Sequence, residues 1–154
     1  MQPRNLLAVL RSPGDQASLS GILSGSAWRC RFVRTFPEVA PVLGGELIGV
    51  VVTDWKLNEP YGWENVLEAA QAARHPAKVI VADRLADEWL WAEVLNRGAR
   101  DLLATPFARQ EVLRVLQMAW MAWASEVTRG HAFKTSRSYL KGRSAGGWQV
   151  PSVS

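Results

Sequence analysis

The chain has 154 residues, of which 48% are hydrophobic and 21% are charged, which suits one globular domain with a sizeable core. Its one cysteine, Cys30, excludes an internal disulfide. No apolar stretch approaches the ~20 residues that a membrane-spanning helix needs, and the N-terminal residues 1–5 lack a signal-peptide pattern. We therefore predict a cytoplasmic protein without a membrane span.

The charge is unevenly distributed along the chain. The net charge is +4, but residues 127–154 contain five Lys or Arg and no acid, whereas residues 1–126 contain 13 basic and 14 acidic residues. A nucleic-acid-binding domain usually has a basic face on its folded part, and none is evident here. We predict a folded domain over residues 1–126 and a basic, disordered tail over residues 127–154.

Strand-like and helix-like segments alternate along residues 1–126. Ser12 followed by Pro13 is a typical helix start, and Gly98 is a typical residue just beyond a helix end. In chain order we predict strand 6–10, helix 13–24, edge strand 29–34, helix 38–43, strand 47–53, helix 63–73, strand 78–82, helix 87–97, strand 101–104 and helix 109–125. This (βα)₅ order indicates an α/β fold, a doubly wound parallel sheet with helices on both faces.

Three predicted strands end in charged residues. The central apolar run of residues 50–53 ends at Asp54, the fourth strand is followed by Asp83, and the first strand is followed by Arg11. In open α/β sheets, ligands and chemistry gather at the carboxyl ends of the strands. These side chains are therefore the candidate functional residues.

Two segments carry a resemblance to a known family. One runs from Lys78 to Phe107 and contains a strand, a helix, the segment 96–101, a second strand and Pro106. The other is the strand that ends at Asp54, followed by Leu57, Pro60 and Gly62. In the order and spacing of these motifs, residues 5–124 resemble the CheY-like receiver domain of two-component response regulators. The resemblance implies a flavodoxin-like fold with strand order 2-1-3-4-5, and a cis peptide bond between Thr105 and Pro106.

The resemblance also implies a phosphorylation site with five elements. Two acids that hold Mg²⁺ correspond to Leu10 and Arg11, the phosphoacceptor corresponds to Asp54, a Ser or Thr corresponds to Asp83, and a Lys corresponds to Thr105, which Pro106 follows. Only the phosphoacceptor is retained, so the site is degenerate. Mg²⁺ requires oxygen ligands, and a guanidinium repels it. We therefore expect neither a Mg²⁺ ion nor another cofactor.

An ion pair between Arg11 and Asp54 is the hypothesis that follows from this degenerate site. In the implied strand order the first and fourth strands flank the third, so Arg11 and Asp83 are expected on either side of Asp54. The guanidinium would then substitute for the metal, and Asp83 would raise the pKa values of the neighbouring carboxylates. No histidine or nucleophile accompanies these acids, so we do not predict an enzyme.

The chain also contains eight tryptophans. Trp63, Trp91 and Trp123 fit buried positions on their helices, whereas Trp89 and Trp120 fit them less well. Large aromatic residues are enriched at interface hot spots, and receivers typically meet partners through their last two helices. We predict a partner surface around Trp89 and Trp120, for a histidine kinase or a second copy of the chain. The alternative is a tryptophan-rich core.

These observations predict a stand-alone, atypical receiver that acts in signal transduction through protein–protein contacts, without the usual Mg²⁺-dependent phosphorylation. One alternative is a phosphotransfer receiver that accepts phosphate from a histidine kinase at Asp54. A second alternative is nucleic-acid binding through the tail, whose Phe133, Tyr139 and Trp148 are interleaved with its cations. The sparse charge of the tail speaks against this second alternative.

Overall fold

A computed structural model describes residues 3–143 of the protein, and the side chains of residues 3–130. The chain forms two units, Met1–Trp123 and Ala124–Ser154, and the first unit contains all five strands. No helix in the part of the chain that the structure describes is long and apolar enough to cross a membrane.

The five strands form one parallel sheet in the order β2-β1-β3-β4-β5, which confirms the predicted α/β fold and strand order. The strands are β1 Arg4–Val9, β2 Trp28–Val33, β3 Val50–Asp54, β4 Lys78–Asp83 and β5 Asp101–Ala104. The helices are α1 Pro13–Leu23, α2 Val39–Gly45, α3 Trp63–Gln71, α4 Glu88–Asn96 and α5 Arg109–Arg143, with a 3₁₀ turn, Phe36–Glu38, before α2.

The sequence signals for the helix ends act as predicted. The Ser12 hydroxyl accepts a hydrogen bond from the Asp15 N–H (3.3 Å) at the start of α1. The Asp87 carboxylate, for which no capping role was predicted, accepts one from the Leu90 N–H (2.8 Å) at the start of α4. Gly98 follows α4 with a φ of 112°, a left-handed conformation that glycine adopts without strain.

Two apolar layers bury the sheet, and alternate residues of each strand face opposite layers. Leu7, Val9 and Val51 face the layer that contains α2, α3 and α4. Leu6 and Val50 face the layer that contains α1 and the first part of α5. The central strands are therefore covered on both faces, which explains their unbroken apolar sequences.

Close packing of α5 against the start of β3 depends on Gly49. A Cβ atom at residue 49 would lie 2.6 Å from Cζ3 of Trp120 and 2.9 Å from Cε3 of Trp123. The Trp120 ring also packs edge-on against Trp28, with 5.8 Å between the ring centroids, and against Trp123 at 4.8 Å. Trp28, Trp120 and Trp123 thus form a cluster at the amino-terminal end of the sheet.

Two tryptophans differ from their predicted environments. Trp63 and Trp123 are buried as predicted, but Trp91 is 50% exposed. The inward positions of α4 are Leu90 and Val94, one turn apart, and Trp91 points away from this line. Trp120, predicted on a partner surface, is instead half-buried in the cluster with Trp28.

The last helix is longer than the sequence predicted. α5 continues to Arg143 instead of ending near Ser125, so residues 127–143, assigned to a disordered tail, are helical. No proline interrupts residues 109–143, and basic charge does not prevent a helix, since Lys and Arg are good helix formers. Residues 144–154 of the predicted tail lie outside the described residues.

We predict that Gly49→Ala destabilises the fold, because the added methyl group must displace the Trp120 and Trp123 rings. Such overpacking typically costs about 1–3 kcal/mol of unfolding free energy. Urea denaturation followed by circular dichroism measures the change. Gly21→Ala in α1 is the matched control, since a Cβ there meets nothing within 4 Å. The control should gain up to about 1 kcal/mol, and equal effects of the two substitutions would contradict the steric explanation.

Candidate functional site

Asp54 lies at the carboxyl end of β3, between β1 and β4. Its Oδ2 atom accepts a hydrogen bond from the backbone N–H of Arg11 at 2.8 Å. The loop that presents this N–H is itself fixed, because the Gln16 side chain donates to the Leu10 carbonyl (2.8 Å) and the Arg34 guanidinium donates to the Arg11 carbonyl (3.2 Å). The Asp54 carboxylate is therefore held by the backbone that follows β1.

The pKa of Asp54 is raised above its ordinary value, chiefly because burial penalises the charged carboxylate. The hydrogen bond from the Arg11 N–H opposes this shift of the pKa, and so does the positive charge of Arg11. The negative charges of Asp15 and Asp83 add to the shift. The effect predicted for Asp83 is thus present, although burial contributes more to the pKa of Asp54.

Asp15 was not predicted as a site residue. It lies in the first turn of α1, directly after the loop that follows β1. A helix that starts at the carboxyl end of a strand places its first turn beside that edge of the sheet. The predicted start of α1 could therefore have identified Asp15 as a site residue from the sequence.

The hypothesis of an Arg11–Asp54 ion pair is wrong. Among residues 3–130, no ion pair joins Arg11 to Asp54, whereas Arg31 pairs with Glu46 and Arg97 pairs with Glu64 and Glu93. The Arg11 side chain is exposed, and its contribution to the hydrogen bonding of Asp54 comes from the main chain. A residue of any type other than proline could donate this hydrogen bond.

Two other predicted site residues, Asp83 and Thr105, form hydrogen bonds at the ends of β4 and β5. Asp83 Oδ2 accepts a hydrogen bond from the Leu85 N–H at 2.9 Å, and the Asp83 carbonyl accepts one from the Thr105 N–H at 3.2 Å. Thr105 is buried, and its peptide bond to Pro106 is cis, as the resemblance implied. The Glu59–Pro60 peptide bond is also cis, which was not predicted.

A cleft of about 780 Å³ opens at this edge of the sheet. It brings together five of the predicted residues, Arg11, Asp54, Asp83, Thr105 and Trp89, whereas Pro106 does not line it. The remaining lining residues are Ser12, Asp15, Trp55, Lys56, Ala82, Arg84, Leu85, Asp87 and Leu90. Trp89 therefore belongs to this cleft, whereas Trp120 lies in the cluster at the opposite end of the sheet, beside Gly49 and Trp28.

The histidine and cysteine that the structure describes are not part of this site. The His75 carbonyl accepts a long hydrogen bond from the Trp123 indole N–H (3.4 Å) at the amino-terminal end of the sheet. Burial of Cys30 on the edge strand β2 raises the pKa of its thiol to about 12. The thiol therefore stays protonated near neutral pH.

Comparisons with known proteins agree with this geometry. No protein-family model matches the chain. The chain is 27% identical over 117 residues to the two-component response regulator ORR11 of Oryza sativa, which covers 73% of this chain and 78% of the relative. It is 28% identical over 115 residues to the response regulator ORR5 of Oryza sativa, with 72% and 84% covered.

Solved structures show the same fold at lower sequence identity. The signal receiver domain of an HD domain-containing protein from Pseudomonas fluorescens Pf-5 matches with a TM-score of 0.74, at 22% identity over 84% of this chain and 95% of that chain. The chain therefore has the fold of a receiver domain, and its sequence is similar to those of two-component response regulators.

Two other solved receiver domains have the same fold, one as a dimer and one with a bound magnesium ion. The beryllofluoride-activated receiver domain of NtrC4 forms a dimer and matches with a TM-score of 0.69, at 19% identity over 77% of this chain and 98% of that one. The receiver domain of the sensor histidine kinase PA1611 from Pseudomonas aeruginosa PAO1 coordinates a magnesium ion in its active-site cleft. It matches with a TM-score of 0.66, at 20% identity over 77% of this chain and 98% of that one.

The donor groups at the Asp54 edge of this receiver do not fit a magnesium ion. Mg²⁺ needs a near-octahedral set of oxygen ligands. Leu10 offers no side-chain oxygen and is fully buried in the apolar layer with α1. Within residues 3–130, no three His, Cys, Asp or Glu side chains are grouped so that they could hold a metal ion. The absence of a Mg²⁺ cofactor stays a prediction.

Asp54→Asn should stabilise this receiver domain at neutral pH. Because the folded-state pKa of Asp54 is raised above its ordinary value of 3.8, the folded protein binds more protons than the unfolded chain between these two pKa values. Wild-type stability then falls as the pH rises through the folded-state pKa. Asn can still accept the Arg11 N–H bond but carries no charge, so its advantage should shrink as the pH falls toward 3.8.

Urea denaturation of wild type and Asp54→Asn across this pH range measures the effect. Asp101→Asn is the control, because Asp101 is also half-buried and accepts a backbone N–H, that of Leu102 (2.8 Å), outside the cleft. A variant that is less stable than wild type at neutral pH would contradict the destabilising role of the Asp54 charge.

Arg11→Ala should leave the stability nearly unchanged, within about 0.5 kcal/mol, since the exposed side chain is lost but the N–H donor is kept. Asp54→Ala removes the same charge as Asp54→Asn and also removes the acceptor, so it should be about 1 kcal/mol less stable than Asp54→Asn through the lost hydrogen bond. All values come from urea denaturation at neutral pH. If Arg11→Ala costs about 1 kcal/mol while Asp54→Ala is as stable as Asp54→Asn, the guanidinium rather than the main chain holds the carboxylate.

Proposed function

We propose that this receiver acts in two-component signalling as an atypical member that transmits a signal through contacts with a protein partner, without Mg²⁺-dependent phosphorylation at Asp54. The observation that carries the proposal is the edge of the sheet around Asp54. A buried Leu10 and a main-chain N–H from Arg11 occupy the place where the family has metal-binding acids.

The chemistry of phosphoryl transfer supports this proposal. Charge on the transferred phosphoryl group must be neutralised in the transition state, usually by metal ions and cationic side chains. Here Asp15 and Asp83 place negative charge near Asp54, as the raised pKa of Asp54 reflects. An incoming phosphoryl group would meet repulsion from both, so transfer to Asp54 would be slow.

The surface beside the cleft supports a role in protein contacts. Leu85 in the β4–α4 loop and Trp89 in the first turn of α4 both line the cleft, and they are 79% and 69% exposed. Neighbouring exposed apolar side chains mark interaction sites, and tryptophan is enriched among interface hot spots. We propose that a partner protein, either a histidine kinase or a second copy of the chain, covers this surface. We also propose that the protein has no enzymatic activity of its own.

A conventional phosphotransfer receiver is the competing function, since Asp54 stands at the end of β3 and lines an open cleft. Incubation with acetyl phosphate and Mg²⁺, followed by intact-mass measurement, separates the two functions. We expect no gain of a phosphoryl group over the time in which an active receiver, included as a positive control, is fully modified.

The variant Asp54→Asn is the matched control for this measurement, because it keeps the hydrogen bond from Arg11 but has no acceptor carboxylate. A mass gain in the wild type that is lost in Asp54→Asn would establish phosphorylation and overturn the proposal. A gain that appears equally in both proteins would reflect modification elsewhere, and would leave Asp54 unmodified as proposed.

A further inference from the structure

We propose that the cleft beside Asp54 binds a small organic cation, an ammonium or guanidinium group attached to an aromatic or aliphatic body. The inference rests on the proposed function. If the cleft beside Asp54 does not take up Mg²⁺ and a phosphoryl group, it is free to bind a different ligand. The carboxylates of Asp15, Asp54 and Asp83 would face the cationic group, and Trp89 with Leu85 would cover the apolar body.

The size and lining of the cleft are those of a small-molecule site. Its volume of about 780 Å³ falls within the range of roughly 300–1,000 Å³ that is usual for such sites. The apolar part of its wall comes from four large side chains: Trp55, Leu85, Trp89 and Leu90. The Trp55 ring is held in place by stacking on the buried Trp63, with 5.8 Å between their centroids.

The distribution of charge in the cleft favours a cation. Asp15, Asp54 and Asp83 are half-buried, whereas the basic lining residues Arg11, Lys56 and Arg84 are all exposed. Exposed cations are screened by water and salt, while the half-buried carboxylates act through a lower dielectric. A bound anion would have to lie beside three carboxylates, so the interior selects positive charge.

The carboxylates also have hydrogen-bonding capacity to spare. Asp54 and Asp83 each use Oδ2 to accept one backbone N–H, from Arg11 and Leu85 respectively. Within residues 3–130, no protein donor contacts their Oδ1 atoms, and no ion pair involves Asp15. An ammonium offers three donors and a guanidinium five, so either group could bridge two of these carboxylates.

The exposed apolar side chains at the rim would complete the site. Trp89 is 69% exposed and Leu85 is 79% exposed, so both have large surface available for a ligand body. Burial of apolar area on binding would stabilise the complex. An indole ring within about 6 Å of the cationic group would add a cation–π attraction.

Isothermal calorimetry with phenethylammonium tests the proposal, and 2-phenylethanol is the matched ligand of similar shape without charge. Both are titrated into the full-length protein at low ionic strength. We expect the dissociation constant of phenethylammonium to be at least about tenfold lower than that of the alcohol. One charge-assisted hydrogen bond of modest strength accounts for a difference of this size.

Two pairs of variants locate the site. Trp89→Ala should weaken binding of phenethylammonium by about threefold to thirtyfold, whereas Trp91→Ala, an exposed tryptophan of the same helix outside the cleft, should not. Asp83→Asn should weaken binding by a similar factor while keeping an acceptor for the Leu85 N–H. Its control is Asp101→Asn, which lies outside the cleft. Circular dichroism confirms that each variant is folded.

The proposal is overturned if phenethylammonium gives no saturable heat, if the alcohol binds equally well, or if Trp91→Ala weakens binding as much as Trp89→Ala. Failure of these titrations would leave the proposed function intact, because the latter is judged by the phosphorylation of Asp54. Conversely, phosphorylated Asp54 would overturn the proposed function whatever the titrations show.

Discussion

The pairing of β3 with both β1 and β4 is the constraint from which the rest of the receiver follows. Val50–Val52 are fully buried, so this strand has apolar layers on both faces and hydrogen-bonded neighbours on both edges. Asp54, the first residue at which the strand can meet a polar environment, is half-buried as a result. A carboxylate in that position loses hydration, which raises its pKa, and it recovers part of the loss by accepting the Arg11 N–H at 2.8 Å.

The loop after β1 combines a core residue, Leu10, with a main-chain donor, the N–H of Arg11. Leu10 is buried among the side chains of α1 and the sheet, so it adds apolar contact where an acid would need hydration or a metal. The Arg11 N–H remains directed at Asp54, since Gln16 and Arg34 hold the carbonyls on either side of it. A main-chain donor supplies a partial positive charge at Asp54 whatever side chain follows Leu10.

Strand and helix periodicity was sufficient to predict the alternating (βα)₅ order and to place Arg11, Asp54 and Asp83 at strand ends. The strand order, and with it the meeting of these three residues, came from the resemblance to receiver domains. The sequence could not show that Arg11 acts through its N–H, since main-chain hydrogen bonds depend on the path of a loop and not on residue type. Asp15 was missed because its role depends on where α1 begins relative to the sheet edge. Trp91 was misplaced because the buried face of α4 follows Leu90 and Val94, which pack in the layer of α2, α3 and α4, and Trp91 is not on that face.

The tryptophans divide into two groups with different physical roles. Trp28, Trp120 and Trp123 pack on one another and against Gly49, where loss of space is costly, so this group stabilises the amino-terminal end of the sheet. Trp55 and Trp89 lie at the other end, around the carboxylates, and Trp89 leaves most of its ring in water. Exposure of so large an apolar side chain lowers solubility and contributes little to folding. Trp89 thus lies beside half-buried carboxylates at one edge of the sheet, and a ligand with a cationic group and an apolar body would contact both together.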